Sequence, residues 1–288
     1  MKKLFNYNQF IKEELDNTIF NQENVQQNTQ NTQTSTEQPQ IQKTQSNEMI
    51  VNTGDTSDYK PFIDPKLIKF SSIIDYTCLK PGATKDDINK LIQEAIDNKF
   101  YSVVVPYEFV DHAAYTIDEA KLKVVSVIDY PDGDSKESDK LFQCIELISN
   151  GADEIDMVMD WKSLKKAYEN EDNEDQQSSY YNIEKEIKNI ANECHKNGVI
   201  LKVIIESGEL TIEQVVKACE LVSNGGADFV VNSTGTKTKG YELDKIKEMR
   251  RVLPDHINIK IQGGVRNLTD CENMYQYVDR IGTSVIPK

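Results

Sequence analysis

Residues 200–232, ILKVIIESGELTIEQVVKACELVSNGGADFVVN, contain two short apolar runs separated by a longer stretch with the period of a helix. The runs are Ile200–Ile205 and Phe229–Asn232, and the stretch between them is Ile212–Asn224. A short apolar run bounded by turn residues is typical of a strand that is buried on both faces. The segment therefore predicts two parallel strands joined by one crossover helix.

The same alternation repeats from Ser72 onward. Eight strands are predicted, at Ile73–Asp75, Ser102–Val105, Val124–Ile128, Glu154–Met159, Ile200–Ile205, Phe229–Asn232, Ile257–Ile261 and Arg280–Gly282. Helices are predicted between them, at Lys85–Asn98, Lys136–Asn150, Asn182–Asn197, Ile212–Asn224 and Tyr241–Val252. Eight alternating units predict an α/β fold whose strands close into a (β/α)8 barrel. A doubly wound open sheet is the structural alternative, but no Gly-x-Gly-x-x-Gly string follows the first run.

The region before the barrel has a different composition. Residues 21–47 are almost entirely Gln, Asn, Thr, Ser and Glu, and such a tract cannot bury enough apolar surface to offset its ordering entropy. We therefore divide the chain into a low-complexity, largely disordered extension, residues 1–58, and a barrel domain, residues 59–288. Apolar residues at helical spacing predict a short amphipathic helix over residues 4–20, which is either a docking element or a transient helix in a disordered tail.

Three smaller features surround the repeat. Pro65 predicts the start of a lead-in helix, with Leu67 and Ile68 packing inward. The acidic run Glu169–Asp175 predicts a solvated loop insertion between the fourth strand and its helix. The chain stops at Lys288, soon after the eighth run, so we expect no closing C-terminal helix.

Composition narrows the class of partner. The net charge of −15 argues against nucleic-acid binding, because a surface that follows phosphates should be basic. The sequence contains no apolar run of about 18 residues, so no membrane span is predicted, and we expect a cytoplasmic protein. The three histidines and five cysteines lack metal-ligand spacing, so neither a metal nor another cofactor is expected. The partners that remain are a sugar phosphate, a protein that binds the acidic surface or the extension, and further copies of the chain.

The alternation of strand residues identifies charged side chains in the barrel interior. In Ile257–Gln262 the isoleucines can face the helices, which leaves Lys260 on the interior face. By the same period of two, Asp156 shares a face with Glu154, and Lys202 shares one with Ile204. Buried charges must be paired, since an isolated one costs several kcal/mol. The pairing indicates either a structural network or a surviving active site, and both interpretations stay open.

Five strings of the chain resemble one enzyme family. In order they are Gly151–Val158, Leu201–Glu206, Gly226–Gly235, Lys260–Arg266 and Arg280–Ser284. Together they resemble deoxyribose-phosphate aldolase, a class I aldolase built on a (β/α)8 barrel, and the resemblance extends from about Ser71 to Ser284. It implies a carbon–carbon lyase reaction of deoxyribonucleotide catabolism.

The resemblance also implies roles for interior residues. The position of Asp156 is that of the aspartate in the proton relay, and Asp75 matches the aspartate of the first strand. Lys260 matches the lysine whose charge lowers the pKa of the Schiff-base lysine, and Lys202 matches a further lysine of the network. The Schiff-base lysine itself corresponds to Val231, which has no amine to attack a carbonyl.

The resemblance further implies a phosphate site made of backbone amides. The matching residues are Gly235, Gly263, Gly264, Gly282 and Ser284. Glycines allow amides to approach an anion closely, although the same glycines could serve only as tight turns. The family usually has a lysine where this chain has Thr236, and Lys237 or Lys239 could supply that charge.

We therefore expect a catalytically inactive deoxyribose-phosphate aldolase-like barrel, retained as a binding, interaction or phosphometabolite-sensing protein. The alternative is an active aldolase that cleaves 2-deoxyribose 5-phosphate to acetaldehyde and glyceraldehyde 3-phosphate. That activity would require Lys202 or Lys260 to replace the missing nucleophile, with a repositioned substrate.

Overall fold

A computed structural model describes residues 64–117, 121–170, 173–237 and 241–288. The predicted extension, residues 1–58, lies outside the described residues together with its predicted helix at 4–20. Both therefore remain predictions.

The described chain forms a closed barrel of eight parallel strands. The strands are β1 Ile74–Thr77, β2 Ser102–Val104, β3 Lys123–Ile128, β4 Glu154–Val158, β5 Ile200–Ile204, β6 Phe229–Val231, β7 Asn258–Gln262 and β8 Arg280–Thr283. Each strand pairs with its neighbours in chain order, and β8 pairs with β1 to close the barrel. The prediction of a (β/α)8 barrel is confirmed, with all eight strands at the predicted positions to within one or two residues.

Helices occupy the connections. They are α2 Lys85–Asp97, α3 Val110–Ile117, α4 Glu137–Ser149, α5 Trp161–Glu169, α6 Asn173–Lys196, α7 Ile212–Asn224, α8 Leu243–Val252 and α9 Leu268–Met274, and a further helix, α1 Pro65–Ser71, precedes β1. The sequence prediction did not include α3, α5 and α9. These three helices have only seven to nine residues, so each offers about two turns of apolar period.

Two local predictions were wrong. The acidic run Glu169–Asp175 is predicted as a loop insertion, but Glu169 is the last residue of α5, and Glu174 and Asp175 already lie in α6, which begins at Asn173. Glu174 and Asp175 stand in the first turn of α6, where they interact favourably with the positive end of the helix dipole. In α1, Leu67 is buried as predicted, but Ile68 is 52% exposed, because neighbouring positions of a helix cannot both face the barrel.

The apolar core lies between the strands and the helices. On β7, Ile259 and Ile261 are fully buried in this layer, while Lys260 between them points into the barrel. The strands therefore have two different buried faces, one apolar and one that carries charge.

The chain ends five residues after β8, and residues 284–288 contain no helix. Among the described helices, none has the length and apolar character needed to cross a membrane.

Candidate active site

A network of buried charged side chains fills the centre of the barrel. On β5, Lys202 places its Nζ 2.6 Å from Asp156 Oδ1 and 2.8 Å from Glu154 Oε2, both on β4. These three side chains are at most 1% exposed. Asp156 and Lys202 are partners in the β4–β5 register, so strand pairing itself brings them onto one face.

Lys260, on β7, joins the same network from across the barrel. Its Nζ lies 2.6 Å from Asp156 Oδ2 and 2.7 Å from Asp75 Oδ2 on β1. The hydroxyl of Ser102 donates a hydrogen bond of 2.6 Å to Asp75 Oδ1. The structure thus brings together the four charged residues for which the family resemblance implies roles, Asp75, Asp156, Lys202 and Lys260.

Two further members of the network, Arg280 and Glu154, had no role in the sequence-based prediction. The Nη1 atom of Arg280 lies 2.9 Å from Asp75 Oδ1 and 3.2 Å from Glu154 Oε2. The guanidinium group stacks 3.6 Å from the ring centroid of Tyr101, whose hydroxyl donates to Glu154 Oε1 at 3.0 Å. Glu154 could have been found from its shared face with Asp156. Arg280 could not, because only the closed register of β7, β8 and β1 brings it to Asp75.

The network is balanced between three cations and three carboxylates. Burial opposes the charge of Asp75, but Lys260, Lys202 and Arg280 outweigh burial and hold its pKa below the ordinary range. Burial also opposes the charge of Lys202, but the surrounding carboxylates, Asp156 foremost, raise its pKa above the ordinary 10.5. The Lys202 amine is therefore protonated at neutral pH and is not a nucleophile.

Val231 lies beside this network, on β6. Its register partners are Ile204 on β5 and Lys260 on β7, so its side chain shares the interior face with Lys260. Val231 is fully buried. Within the described residues, no group of three or more His, Cys, Asp and Glu side chains is arranged to hold a metal ion.

A cavity of about 520 Å³ opens at the carboxyl ends of β1, β6, β7 and β8. The five residues predicted to form a phosphate cradle, Gly235, Gly263, Gly264, Gly282 and Ser284, all line it. Gly235, Gly263 and Gly264 have positive φ angles of 75–89°, which a side chain would strain. A Cβ atom on Gly263 would lie 3.0 Å from Gly235 Cα, so the close approach of the two loops requires glycine there. Val231, Lys202 and Lys260 do not line this cavity.

The charged walls of this cavity are cationic. Of the residues that the structure describes, Lys80 and Arg266 line it and no carboxylate does, although the chain as a whole is strongly acidic. Lys80 is paired with Asp87 at 2.7 Å, whereas Arg266 forms no side-chain ion pair with the residues that the structure describes. The predicted substitute Lys237 is 2.9 Å from Asp132, and Lys239 lies outside the described residues. Arg266 is therefore the cation of the cavity best placed to meet an anion.

A buried glutamate lies behind the loop that follows β6. Glu206 has a left-handed backbone, with φ 51°, and its Oε2 accepts a hydrogen bond of 3.1 Å from the Thr234 amide. Its Oε1 is buried without a hydrogen bond in the described chain. Burial raises the pKa of Glu206. Tyr130 is partly buried, and its burial together with the nearby Glu206 charge raises the pKa of Tyr130 to about 12. The Tyr130 hydroxyl donates to Thr234 O at 3.1 Å, which links the loops after β3 and β6.

Comparison with known proteins agrees with this architecture. The family described as DeoC/LacD family aldolase matches residues 73–280. A deoxyribose-phosphate aldolase of Thermoanaerobacter sp. is 36% identical over 219 residues, which cover 75% of this chain and 93% of that protein. One from Thermococcus kodakarensis is 39% identical over 214 residues, covering 73% and 91% respectively. The tetrameric deoxyribose phosphate aldolase of Aeropyrum pernix superposes with a TM-score of 0.67 at 25% identity, covering 76% of this chain and 88% of that one.

Proposed function

We propose that this chain, which belongs to the DeoC/LacD family of aldolases, binds a phosphorylated ligand at the glycine-lined cavity without forming a Schiff base with it. The observation that carries the proposal is Val231. This residue occupies the interior position at which the family resemblance implies the nucleophilic lysine, and a valine side chain offers neither a nucleophile nor an exchangeable proton.

The remaining interior amines are unsuited to replace it. Lys202 is held by Asp156 and Glu154, and its pKa is raised, so its neutral form is disfavoured. Lys260 lies between Asp75 and Asp156. Moving either amine to a bound carbonyl would strip buried carboxylates of a partner, which typically costs about 3–5 kcal/mol.

The phosphate part of the proposal depends on the cavity rather than on the network. Backbone amides of glycine loops bind anions well, and Arg266 adds a planar donor that suits phosphate. Because none of the described residues in the wall is a carboxylate, repulsion of an anion is low there, despite the net charge of −15.

Borohydride trapping tests the chemical part. The protein is incubated with 2-deoxyribose 5-phosphate, reduced, and mapped by mass spectrometry. The wild-type chain should give no adduct, whereas Val231→Lys should give one on the introduced amine, because the adjacent Lys260 disfavours its protonation. Ile204→Lys is the matched control, since Ile204 is equally buried and in register with Val231 but one strand farther from Lys260. An adduct on wild-type Lys202 or Lys260, with turnover above background, would overturn the proposal.

Calorimetry tests the binding part. Inorganic phosphate and 2-deoxyribose 5-phosphate should both bind, and Arg266→Gln should weaken both by about tenfold or more, as expected for a charge-assisted hydrogen bond. Arg251→Gln is the control, because Arg251 is an exposed arginine on α8 that does not line the cavity. Equal affinities for the two variants would contradict the placement of the phosphate.

A further inference from the structure

A second cavity adjoins the first. It has a volume of about 460 Å³, and Leu79 and Tyr130 belong to the walls of both cavities. Its other walls include Pro106, Tyr107 and Val127, so much of its lining is apolar or aromatic. The two cavities therefore meet at Leu79 and Tyr130, and a ligand that occupied both would cross this border.

The two cavities have opposite electrostatic character. Among the described residues, the first has Lys80 and Arg266 in its walls and no carboxylate, whereas the second has Glu108 and Asp129 and no cation. Asp129 is partly compensated by the buried Lys140, whose Nζ lies 3.5 Å from Asp129 Oδ2, so the exposed Glu108 contributes most of the negative charge. An anionic group therefore fits only the first cavity, and the group in the second must be neutral or carry hydrogen-bond donors. A bisphosphate that spans both cavities would be repelled from the second.

The aromatic walls of the second cavity are held in place. The hydroxyl of Tyr107 donates to Glu146 on α4, and that of Tyr130 donates to Thr234 O. The loop that carries Tyr130 is anchored by the buried Lys140, which donates to Gly133 O at 2.9 Å. A flat group that enters the second cavity thus meets tyrosine rings already fixed in position, and this limits the entropic cost of binding.

The wall of the second cavity also contains both hydrogen-bond donors and hydrogen-bond acceptors. Gln143 accepts a hydrogen bond of 3.0 Å from the Asp129 amide through Oε1, which leaves its NH₂ group directed elsewhere as a donor. Glu108 is exposed and can accept hydrogen bonds from N–H groups. A planar heterocycle with an amino group offers ring acceptors to the Gln143 NH₂ group and amino donors to the Glu108 carboxylate.

From these observations we infer that the two cavities together bind a nucleoside 5′-monophosphate. The phosphate occupies the glycine-lined cavity, and the base lies against Tyr107 and Tyr130 in the second. The inference rests on the proposed function, since the same phosphate site is used, and it names the ligand class. A 2-deoxyribose 5-phosphate molecule would leave the second cavity empty.

Four probes separate the contributions in calorimetry: inorganic phosphate, 2-deoxyribose 5-phosphate, 2′-deoxyadenosine and 2′-deoxyadenosine 5′-monophosphate. The nucleotide should bind at least about tenfold more tightly than the sugar phosphate, since stacking on an aromatic side chain contributes that much per base. The nucleoside without phosphate should bind far more weakly than the nucleotide.

Tyr107 variants then locate the base. Tyr107→Ala should remove the advantage of the nucleotide and leave the affinity for 2-deoxyribose 5-phosphate unchanged. Tyr107→Phe, which keeps the ring and loses the bond to Glu146, should retain most of the advantage. Equal binding of nucleotide and sugar phosphate, or an equal loss of both in Tyr107→Ala, would overturn the inference and leave the phosphate site standing. Failure of all three phosphates to bind would overturn the proposed function as well.

Discussion

Replacing Lys202 by methionine tests whether the interior charges form an interdependent network. Methionine keeps most of the volume and the flexible stem but removes the positive charge. Asp156 and Glu154 would then lose contacts of 2.6 and 2.8 Å in a region from which water is excluded. Removing one partner of a buried ion pair typically costs about 3–5 kcal/mol.

The structure places the expected cost at the lower end of that range. Without Lys202, Asp156 would keep Lys260 at 2.6 Å, and Glu154 would keep Arg280 at 3.2 Å. Neither carboxylate would be left without a partner, so we expect a loss of about 3 kcal/mol in the free energy of unfolding. For a domain of this size, that loss lowers the melting temperature by roughly 6–12 °C.

Lys123 supplies a control with almost the same local geometry. Its Nζ lies 2.7 Å from Asp153 Oδ1 and joins β3 to the residue just before β4, but its side chain is 48% exposed. Surface pairs typically contribute about 0.2–1 kcal/mol, because water and salt screen them. Lys123→Met should therefore change stability by less than about 1 kcal/mol.

The measurement is urea unfolding, monitored by far-ultraviolet circular dichroism and by the fluorescence of Trp161, the single tryptophan of the chain. Coincident transitions from the two signals would support two-state analysis. Because the folded-state pKa of Lys202 is raised, its contribution is present below pH 10.5 and is lost as pH rises through the folded-state pKa. The difference between variant and wild type should thus be constant between about pH 6 and 9. A Lys202→Met loss no larger than that of Lys123→Met would refute the network.

Three further outcomes are expected. Glu206→Gln should keep the acceptor for the Thr234 amide and should be at least as stable as the wild type at pH 7. Because the folded-state pKa of Glu206 is raised, its charge costs stability at pH 7, and the difference from the variant should vanish below about pH 4.5. Urea midpoints measured at both pH values check this. Thr236→Lys should add a cation beside the glycine loops and tighten 2-deoxyribose 5-phosphate binding several-fold, with a gain that calorimetry finds smaller at high salt. Cys194 is fully buried, and its hydrogen bond with a neighbouring thiol together with its burial raises the pKa of its thiol. Mass spectrometry should therefore find that Cys194 is alkylated much more slowly than the half-buried Cys78, and comparable rates would contradict this.

Much of the barrel could be predicted because each strand carries its own signal. On β7 the alternation of isoleucine with Asn258, Lys260 and Gln262 separates the two faces without any knowledge of neighbours. The helices that were missed have too few turns for a period to emerge. Composition alone predicts a loop for the first turn of α6, because an acidic helix start resembles a solvated linker.

The site was only partly predictable, for a related reason. Period-two spacing places Asp156, Lys202 and Lys260 on interior faces, but it carries no information about which residues meet across the barrel. Arg280 reaches Asp75 and Glu154 only because β8 closes onto β1 in a particular register. Cavity walls are subject to the same limit, since Tyr107 and Tyr130 come from different connections.

The charge balance of the network explains how the barrel accommodates valine on β6. The three cations and three carboxylates come from β1, β4, β5, β7 and β8, so no carboxylate depends on β6 for a partner. Val231 consequently leaves no unpaired buried charge, and its partner in the β5–β6 register is the apolar Ile204. An amine introduced there would be a fourth cation without a fourth carboxylate. The neighbouring charge would lower its pKa, which is the condition a Schiff-base nucleophile requires. The paired charges of the barrel interior are therefore independent of which side chain β6 places at position 231.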